Sequence, residues 1–234
     1  MDRGGELFPE MNTSPIITMF DRITPTYDKL NTWFSFGLDA YWRKEIIKAI
    51  PVKQGRILDS CTGTGELAHL MAEKGYEVIG IDLSLSMLEL AKKKGRKENK
   101  AEFYQADALK LPFPDHFFQA ETSAFALRNL PDLNQAFQEA YRVLVPGGTA
   151  LFLDLTTPDL PWIRPFHSFY LTTILPFIGG KVSKDPEAYH YLGASILRFQ
   201  SRAQIAQTLT SSGFREVQIS LLSGGIATLW KALK

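Results

Sequence analysis

Residues 57–82, ILDSCTGTGELAHLMAEKGYEVIGID, constrain the fold more than any other stretch of the chain. They read as strand, glycine turn, helix, strand, with an acidic residue closing each strand. Arg56, Ile57 and Leu58 lead to Asp59, and Gly63-Thr64-Gly65 then breaks the extended pattern. Leu67, Ala68, Leu70 and Met71 follow at helical spacing, and Gly75 stops the helix. Val78-Ile79-Gly80-Ile81 is a second buried strand with Asp82 at its carboxyl end. In a right-handed βαβ unit ligands bind at those carboxyl ends, so the turn and Asp82 are the first candidates for a binding site. The glycines let a ligand approach the backbone, and Asp82 can accept two hydrogen bonds from a ribose diol.

The spacing of Gly63, Gly65 and Ala68 also fits a dinucleotide fingerprint. Asp59, four residues before Gly63, argues against a pyrophosphate there. S-adenosylmethionine carries a sulfonium cation and no phosphate, so a carboxylate at that place is compatible with it and can attract it. A tight turn without a ligand is the alternative, although it gives two strand-end carboxylates no purpose.

The rest of the chain continues the α/β rhythm. At 234 residues, 45% hydrophobic and 22% charged, it has the composition of an ordinary globular domain. A net charge of +1 gives no argument for nucleic acid. The single cysteine, Cys61, excludes an internal disulfide or a multi-cysteine metal site, suits a reducing cytosol, and reads as a packing residue in the glycine turn. The opening MDRGGELFPEM lacks the apolar core of a secretory signal and reads as a flexible arm to about residue 12. No apolar run is long enough to span a bilayer.

From Pro15 to Ile50 an aromatic-rich helical lead-in is expected, interrupted at Gly37 and ended by Pro51; its aromatics either pack on the sheet or line a pocket for a flat, greasy ligand. Ser84 caps a helix that runs into the basic cluster 92–100, read as a solvated helix end with contact to anionic lipid as the alternative. Strands are expected at 101–105, 117–123 and 149–155, a helix at 133–144, and a tight Pro146-Gly147-Gly148 turn between the last two. Residues 158–197 break the rhythm. Between Trp162 and Ile178 ten large apolar residues crowd together, which reads as a buried cap or a partly exposed interfacial patch. His167 within it reads as a surface or internally satisfied histidine rather than a base. Ser201 opens a last helix, and 214–222 with 226–230 can pair as a hairpin, completing a seven-stranded sheet with one antiparallel member. The fold class is therefore α/β, Rossmann-like, with a lead-in over 1–50, a main domain over 51–234, and a helical cap inserted at about 158–197.

At this point the chain resembles the class I S-adenosylmethionine methyltransferases, and more narrowly those that C-methylate the ring of demethylmenaquinone or its ubiquinone-pathway counterpart. The resemblance runs from about Phe20 to the end. Phe20, Asp21, Ile23, Pro25, Tyr27, Asp28 and Asn31 meet the pattern F-D-x-I-x-P-x-Y-D-x-x-N, and Ser35-Phe36-Gly37 with Trp42-Arg43 its continuation. Leu127-Arg128-Asn129, Pro146-Gly147-Gly148, Tyr189, Tyr191-Leu192 and Gly224-Gly225-Ile226 match further motifs. The chain departs from the pattern at Ser60, Cys61, Thr62, Glu66, Ala124, Ala126, Gln200 and Trp230.

The resemblance implies S-adenosyl-L-methionine as cofactor, no metal, and a prenylated quinol as substrate. It places the methionine end of the cofactor on Thr64 and the Gly63–Gly65 backbone, the ribose on Asp82, and the adenine on Asp107, with Asp59, Leu83, Ala108 and Ala124 alongside. A quinol hydroxyl has a pKa near ~10, so ionising it at pH 7 asks for roughly 4 kcal/mol. Arg128, at a strand's carboxyl end, is the expected cation for that charge, with a structural ion pair as the alternative. Asn129 is expected to orient a water or the oxygen, and Tyr189, with Tyr27 and Tyr191, to add hydroxyls. The greasy tail of such a substrate implies a cytoplasmic protein in transient contact with the membrane surface, peripheral at the inner face. A benzoquinol substrate, a soluble small-molecule substrate and a non-catalytic cofactor-binding protein are the competing readings.

Overall fold

A computed structural model describes residues 15–95, 101–183 and 185–234. The expected arm over 1–12 and the 96–100 half of the basic cluster lie outside the described residues. The core is one seven-stranded sheet in the order β3-β2-β1-β4-β5-β7-β6. Its strands are β1 (Arg56–Ser60), β2 (Glu77–Asp82), β3 (Ala101–Gln105), β4 (Phe118–Ala124), β5 (Leu144–Leu155), β6 (Arg215–Leu222) and β7 (Ala227–Leu233). The first five pair in parallel, and β7 runs antiparallel to both β5 and β6. The order reverses at β1, which lies between β2 and β4, so the crevice of the topological switch opens beside the glycine turn.

Apolar residues at consecutive positions of the central strands explain the layers. Ile57 and Val78 face one side, where α3 (Leu38–Ala49), α4 (Glu66–Glu73) and α5 (Leu85–Lys94) bury Trp42, Ile46, Leu67, Met71 and Leu88. Leu58 and Ile81 face the other, against Phe137 of α6 (Leu133–Val143) and Ile205 and Leu209 of α10 (Arg202–Ser211). Strands buried on both faces read as continuous apolar runs, which is why they were recognisable. Ser84, Asp132 and Ser201 cap α5, α6 and α10, the last with a reciprocal bond between the Gln204 side chain and the Ser201 N–H.

A third apolar cluster stands over the carboxyl ends of the strands. It joins α1 (Pro15–Ile23) and α2 (Tyr27–Phe34) to the cap, through Met19, Ile23, Leu30, Leu171, Leu175, Ala188, Tyr189 and Ile196. The cap is α7 (Arg164–Phe169), a π-helical turn (Tyr170–Ile174), α8 (Leu175–Ser183) and α9 (Pro186–Arg198). The lead-in and the cap thus pack on each other, through residues about 150 positions apart in sequence.

The fifth strand departs from expectation. It begins at Leu144, which pairs with Phe118, and the next pair is Thr149 with Ala120. Five positions along β5 therefore match two along β4, and Pro146-Gly147-Gly148 is a bulge inside the strand, with Gly147 at φ 78°. Pairing of Leu144 across the sheet ends the preceding helix one residue earlier than its apolar spacing suggested.

Glu121 in β4 is buried, its Oε1 accepting from Ser60 Oγ at 2.8 Å and its Oε2 without a partner among the described residues. Burial pushes its pKa up to about 8, with Asp59 and Glu139 adding repulsion against the Ser60 hydrogen bond. The folded chain therefore keeps a proton that the unfolded chain releases above pH ~4.5, and stability falls as pH rises from there to about 8. Glu121→Gln removes that slope. It is expected to match the parent near pH 4.5 and to exceed it by a few kcal/mol at pH 8 in urea unfolding; the same pH slope in both proteins would refute this account.

Candidate active site

The turn after β1 is shaped by left-handed backbone at Cys61 (φ 54°), Gly63 (φ 56°) and Gly65 (φ 77°). A Cβ on Gly63 would meet nothing within 4 Å, so the backbone there faces open space. A Cβ on Gly65 would lie 2.9 Å from Ala91 Cβ and from Phe103 Cζ, so that glycine permits α4 to start tight against α5 and β3. Asp82 fixes the turn. Its Oδ2 accepts the Gly63 N–H at 2.8 Å and its Oδ1 the Ser84 N–H at 2.9 Å. Each oxygen retains a second lone-pair direction for a ligand. Asp59 is wholly buried, Oδ2 accepting from Thr62 Oγ1 at 2.6 Å and Oδ1 from Thr122 Oγ1 at 2.7 Å.

The electrostatics of this crevice are acidic. Burial pushes Asp59 up to about 6 and raises Asp82 as well. Burial also raises the Cys61 thiol well above its usual value, with Asp82, Glu121, Asp59 and Asp107 all acting in the same direction. The thiol stays protonated, so Cys61 packs rather than attacks. Such a field suits a cation and repels a pyrophosphate. Asp107 and Ala108 follow β3, beside the Asp82-Leu83 end of β2; Asp107 Oδ1 accepts the Leu109 N–H at 2.9 Å, and the Leu83 carbonyl accepts from Gln105 Nε2 at 2.9 Å.

The lead-in straps this crevice through residues that spacing alone did not single out. Asp21 Oδ1 accepts from Ser84 Oγ and Ser86 Oγ, both at 2.5 Å. Asp28 Oδ1 accepts from Thr64 Oγ1 at 2.6 Å, and Lys94 bridges Asp28 and Glu66. The Thr64 hydroxyl, expected to face the cofactor, is thus committed to α2.

Beyond the strap lies an apolar cavity of about 330 Å³ between the lead-in and the cap. Tyr27, Phe34, Trp42, Phe125, Tyr170 and Leu192 are among its walls, so the aromatics of the lead-in serve both packing and pocket. Its polar groups are Asn31, Ser35, the hydroxyls of Tyr27 and Tyr170, the buried Asp39–Arg43 ion pair at 2.6 Å, Arg128 and His167. Arg128 stands in the 3-10 turn after β4, its side chain only 5% exposed. Its Nη1 pairs with the buried carboxylate of Asp154, at the end of β5, and donates to the Phe125 carbonyl at 2.7 Å. Its Nε is buried without a partner among the described residues. The alternative expectation for Arg128, a structural ion pair, is what the structure shows, and the same side chain is among the lining of the cavity.

Asn129 Oδ1 accepts from Tyr191 OH at 2.9 Å. Tyr189 is buried against Phe34, ring centroids 5.2 Å apart, and borders a narrow cleft with Tyr27 and Arg128 rather than the main cavity. Ala124, at the end of β4, packs against the first core cluster.

The model of the ubiE/COQ5 methyltransferase family matches residues 10–234. The chain belongs to that family. It is 40% identical over 226 residues to a demethylmenaquinone methyltransferase of Porphyromonas gingivalis, covering 92% of this chain and 91% of that one. It is 40% identical over 223 residues to the ubiquinone/menaquinone biosynthesis C-methyltransferase UbiE of Geotalea daltonii, covering 92% and 94%. Among solved structures, phosphoethanolamine N-methyltransferase 2 of Haemonchus contortus, in complex with S-adenosyl-L-methionine, superposes with a TM-score of 0.68 at 19% identity, covering 97% of this chain and 61% of that one.

For this methyltransferase, sequence spacing found the turn and the two strand-end carboxylates but passed over Asp154 and Asp39, and it read His167 as a surface or internally satisfied histidine, whereas the residue lines the cavity with a buried Nδ1 that has no partner among the described residues. Asp154 had a signal, an acidic residue closing an apolar strand as Asp59 and Asp82 do. His167 had none, because only the cap's packing turns it toward the cavity.

The acidic crevice predicts how ligand charge and pH combine. Asp59, at about 6, is mostly ionised at pH 7 and protonated at pH 5. Affinity for the sulfonium cofactor is expected to fall several-fold over that range, while that of its neutral thioether product falls less. Calorimetry at pH 5 and 7 on the parent and on Asp59→Asn checks this; an equal fall for both ligands in the parent would remove Asp59 from the account.

Proposed function

We propose that this methyltransferase transfers a methyl group from S-adenosylmethionine to a ring carbon of a prenylated quinol, with demethylmenaquinol as its substrate and menaquinol as its product. The observation that carries the reading is the juxtaposition of an acidic, glycine-lined crevice with a mostly apolar cavity of quinone-ring size. The cofactor supplies an electrophilic methyl group on a sulfonium. Gly63 gives it close backbone approach, Asp82 accepts from the ribose diol, and Asp107 with Leu83 and Ala108 borders the adenine. Asp59 acts through the turn, since Thr62 and Thr122 occupy its oxygens.

The ring carbon becomes nucleophilic when the quinol hydroxyl ionises. Arg128 stabilises the resulting oxyanion, although Asp154 offsets part of its charge. Asn129 and Tyr191 form one hydrogen-bonded unit beside Arg128, and Tyr189 shapes the wall through Phe34. Water exclusion by the aromatic walls strengthens each of these interactions.

The tail of the substrate leaves by the mouth of the cavity. Phe36 and Phe166 both line the cavity and stand 82% and 77% exposed, and Trp33, Trp162, Phe169 and Phe177 are exposed near them in sequence. No helix among the described residues is long and apolar enough to cross a membrane. An exposed aromatic rim on a non-spanning protein supports transient docking on the bilayer that holds the substrate.

Labelled S-adenosylmethionine with reduced demethylmenaquinone is expected to yield labelled menaquinol, and Arg128→Met to lower kcat by 10²-fold or more with cofactor affinity retained. Label on a benzoquinol alone would assign the chain to ubiquinone synthesis instead. Replacing Phe36 and Phe166 together by serine is expected to weaken sedimentation with anionic liposomes about tenfold and to raise KM for a long-tailed quinol but not for a tail-free one. Unchanged liposome binding would dispose of the docking rim.

A further inference from the structure

Arg43, on α3, has donors to spare beside its ion pair. The residue is only 8% exposed and lines the cavity. Its Nη1 donates to Asp39 Oδ2 at 2.6 Å, its one hydrogen bond among the described residues. Nε and Nη2 are thus without a protein partner there, yet they are not sealed from solvent as Arg128 Nε is. A guanidinium carries five N–H donors in a planar fork, and protein interiors rarely leave such groups unmet, so these are donors left for a ligand.

The position of Arg43 ties it to the proposed reaction. Phe125 touches both arginines of the cavity: its carbonyl accepts from Arg128 Nη1 at 2.7 Å, and its ring lies 5.2 Å from Arg43 Cζ. Phe125 is held at φ 64°, a left-handed backbone that bulky residues rarely adopt, and the contacts to the two guanidiniums are among those that hold it there. It directly follows β4, which pairs with β1 and so ends beside the glycine turn. The electrostatics agree with this placement. Burial raises the Tyr27 hydroxyl, and Arg128 and Arg43 both act against that rise. Burial raises Asp59 in the crevice, and Arg43 opposes it after the hydrogen bonds from Thr62 and Thr122.

A 1,4-quinol carries an oxygen at each end of its ring, and two arginines brought together by one residue match two oxygens. Resting on the reading of this cavity as the quinol site, we propose that Arg43 binds the substrate by donating to the quinol oxygen that keeps its proton, para to the one that ionises beside Arg128. The other polar groups of the cavity are less free for that task. Ser35 Oγ donates to Asp39 Oδ1, the Tyr170 hydroxyl to the Phe34 carbonyl, and Tyr27 and Asn31 bond to each other. His167 Nδ1 is sealed. The oxygen that ionises activates the ring carbon beside it, whereas the second hydroxyl is unchanged through the reaction. A bond to it is equally strong in the ground and transition states, so Arg43 acts on binding rather than on rate.

Two measurements test this. Lysine keeps a charge for Asp39 but lacks the planar fork. Arg43→Lys is expected to raise KM for reduced demethylmenaquinone about tenfold, with kcat within about threefold of the parent, in contrast to Arg128→Met. A fall in kcat with KM unchanged, or no change in either, would overturn the proposal. The second measurement needs no turnover. In anaerobic titrations, 1,4-dihydroxynaphthalene is expected to bind Arg43→Lys about tenfold more weakly than the parent, while 1,4-dimethylnaphthalene, of similar shape but without hydroxyls, binds both alike. Should Arg43→Lys unfold, the pair Asp39→Asn with Arg43→Gln, which buries no unpaired charge, takes its place. Equal losses for the two probes mark a structural role alone and overturn the proposal, as does no loss for either. If the parent methylates no quinol, the proposed function fails, and the titrations by themselves then decide whether Arg43 holds an aromatic hydroxyl.

Discussion

A single half-buried carboxylate organises the upper face of this sheet. Asp82 closes β2 and receives the N–H of Gly63 from the turn after β1 and that of Ser84 at the start of α5. Two loops at adjacent strand ends are thereby held in one geometry, and the same two loops carry the hydroxyls to which the lead-in is tied. Ser84 and Ser86 bind Asp21, and Thr64 binds Asp28. Without the carboxylate at the end of β2, neither the crevice nor the helices that strap it would have a fixed place.

Charge is distributed to match two chemistries side by side. The crevice gathers Asp59, Asp82 and Asp107, a field in which a cation is welcome and an anion is not. The adjoining cavity has its charges compensated, Arg43 by Asp39 and Arg128 by Asp154. Burying a charge costs less when it is paired and hydrogen-bonded, so these pairs let arginines stand among aromatic walls. A methyl group leaving a sulfonium for a ring carbon loses its charge on the way, and a boundary between an acidic and a compensated region suits that change.

Much of the fold was legible because its signals are local. The central strands are continuous apolar runs ended by acidic residues, and the caps at Ser84 and Ser201 stand where their side chains reach the next turn's N–H groups. The Pro-Gly-Gly bulge was less legible, since its effect depends on Leu144 finding Phe118 on a neighbouring strand. Site residues divide in the same way. Asp59, Gly63, Gly65, Asp82 and Asp107 sit within or directly after strands whose direction fixes where they point. Tyr189 and Tyr191 lie two apart on one helix, and packing sends the first into the core against Phe34 and the second to Asn129.

By itself the sequence determined the βαβ unit, the order of strands and helices along the chain, and the family, because hydrophobic period, glycine placement and motif spacing act between residues close in the chain. The tertiary structure decided what each polar group faces. It paired Arg128 with Asp154 and committed Thr64 to Asp28. It set the lead-in against a cap some 150 residues away, and left His167 lining the cavity they enclose. Those outcomes rest on desolvation and on contacts between distant segments, which no local pattern encodes.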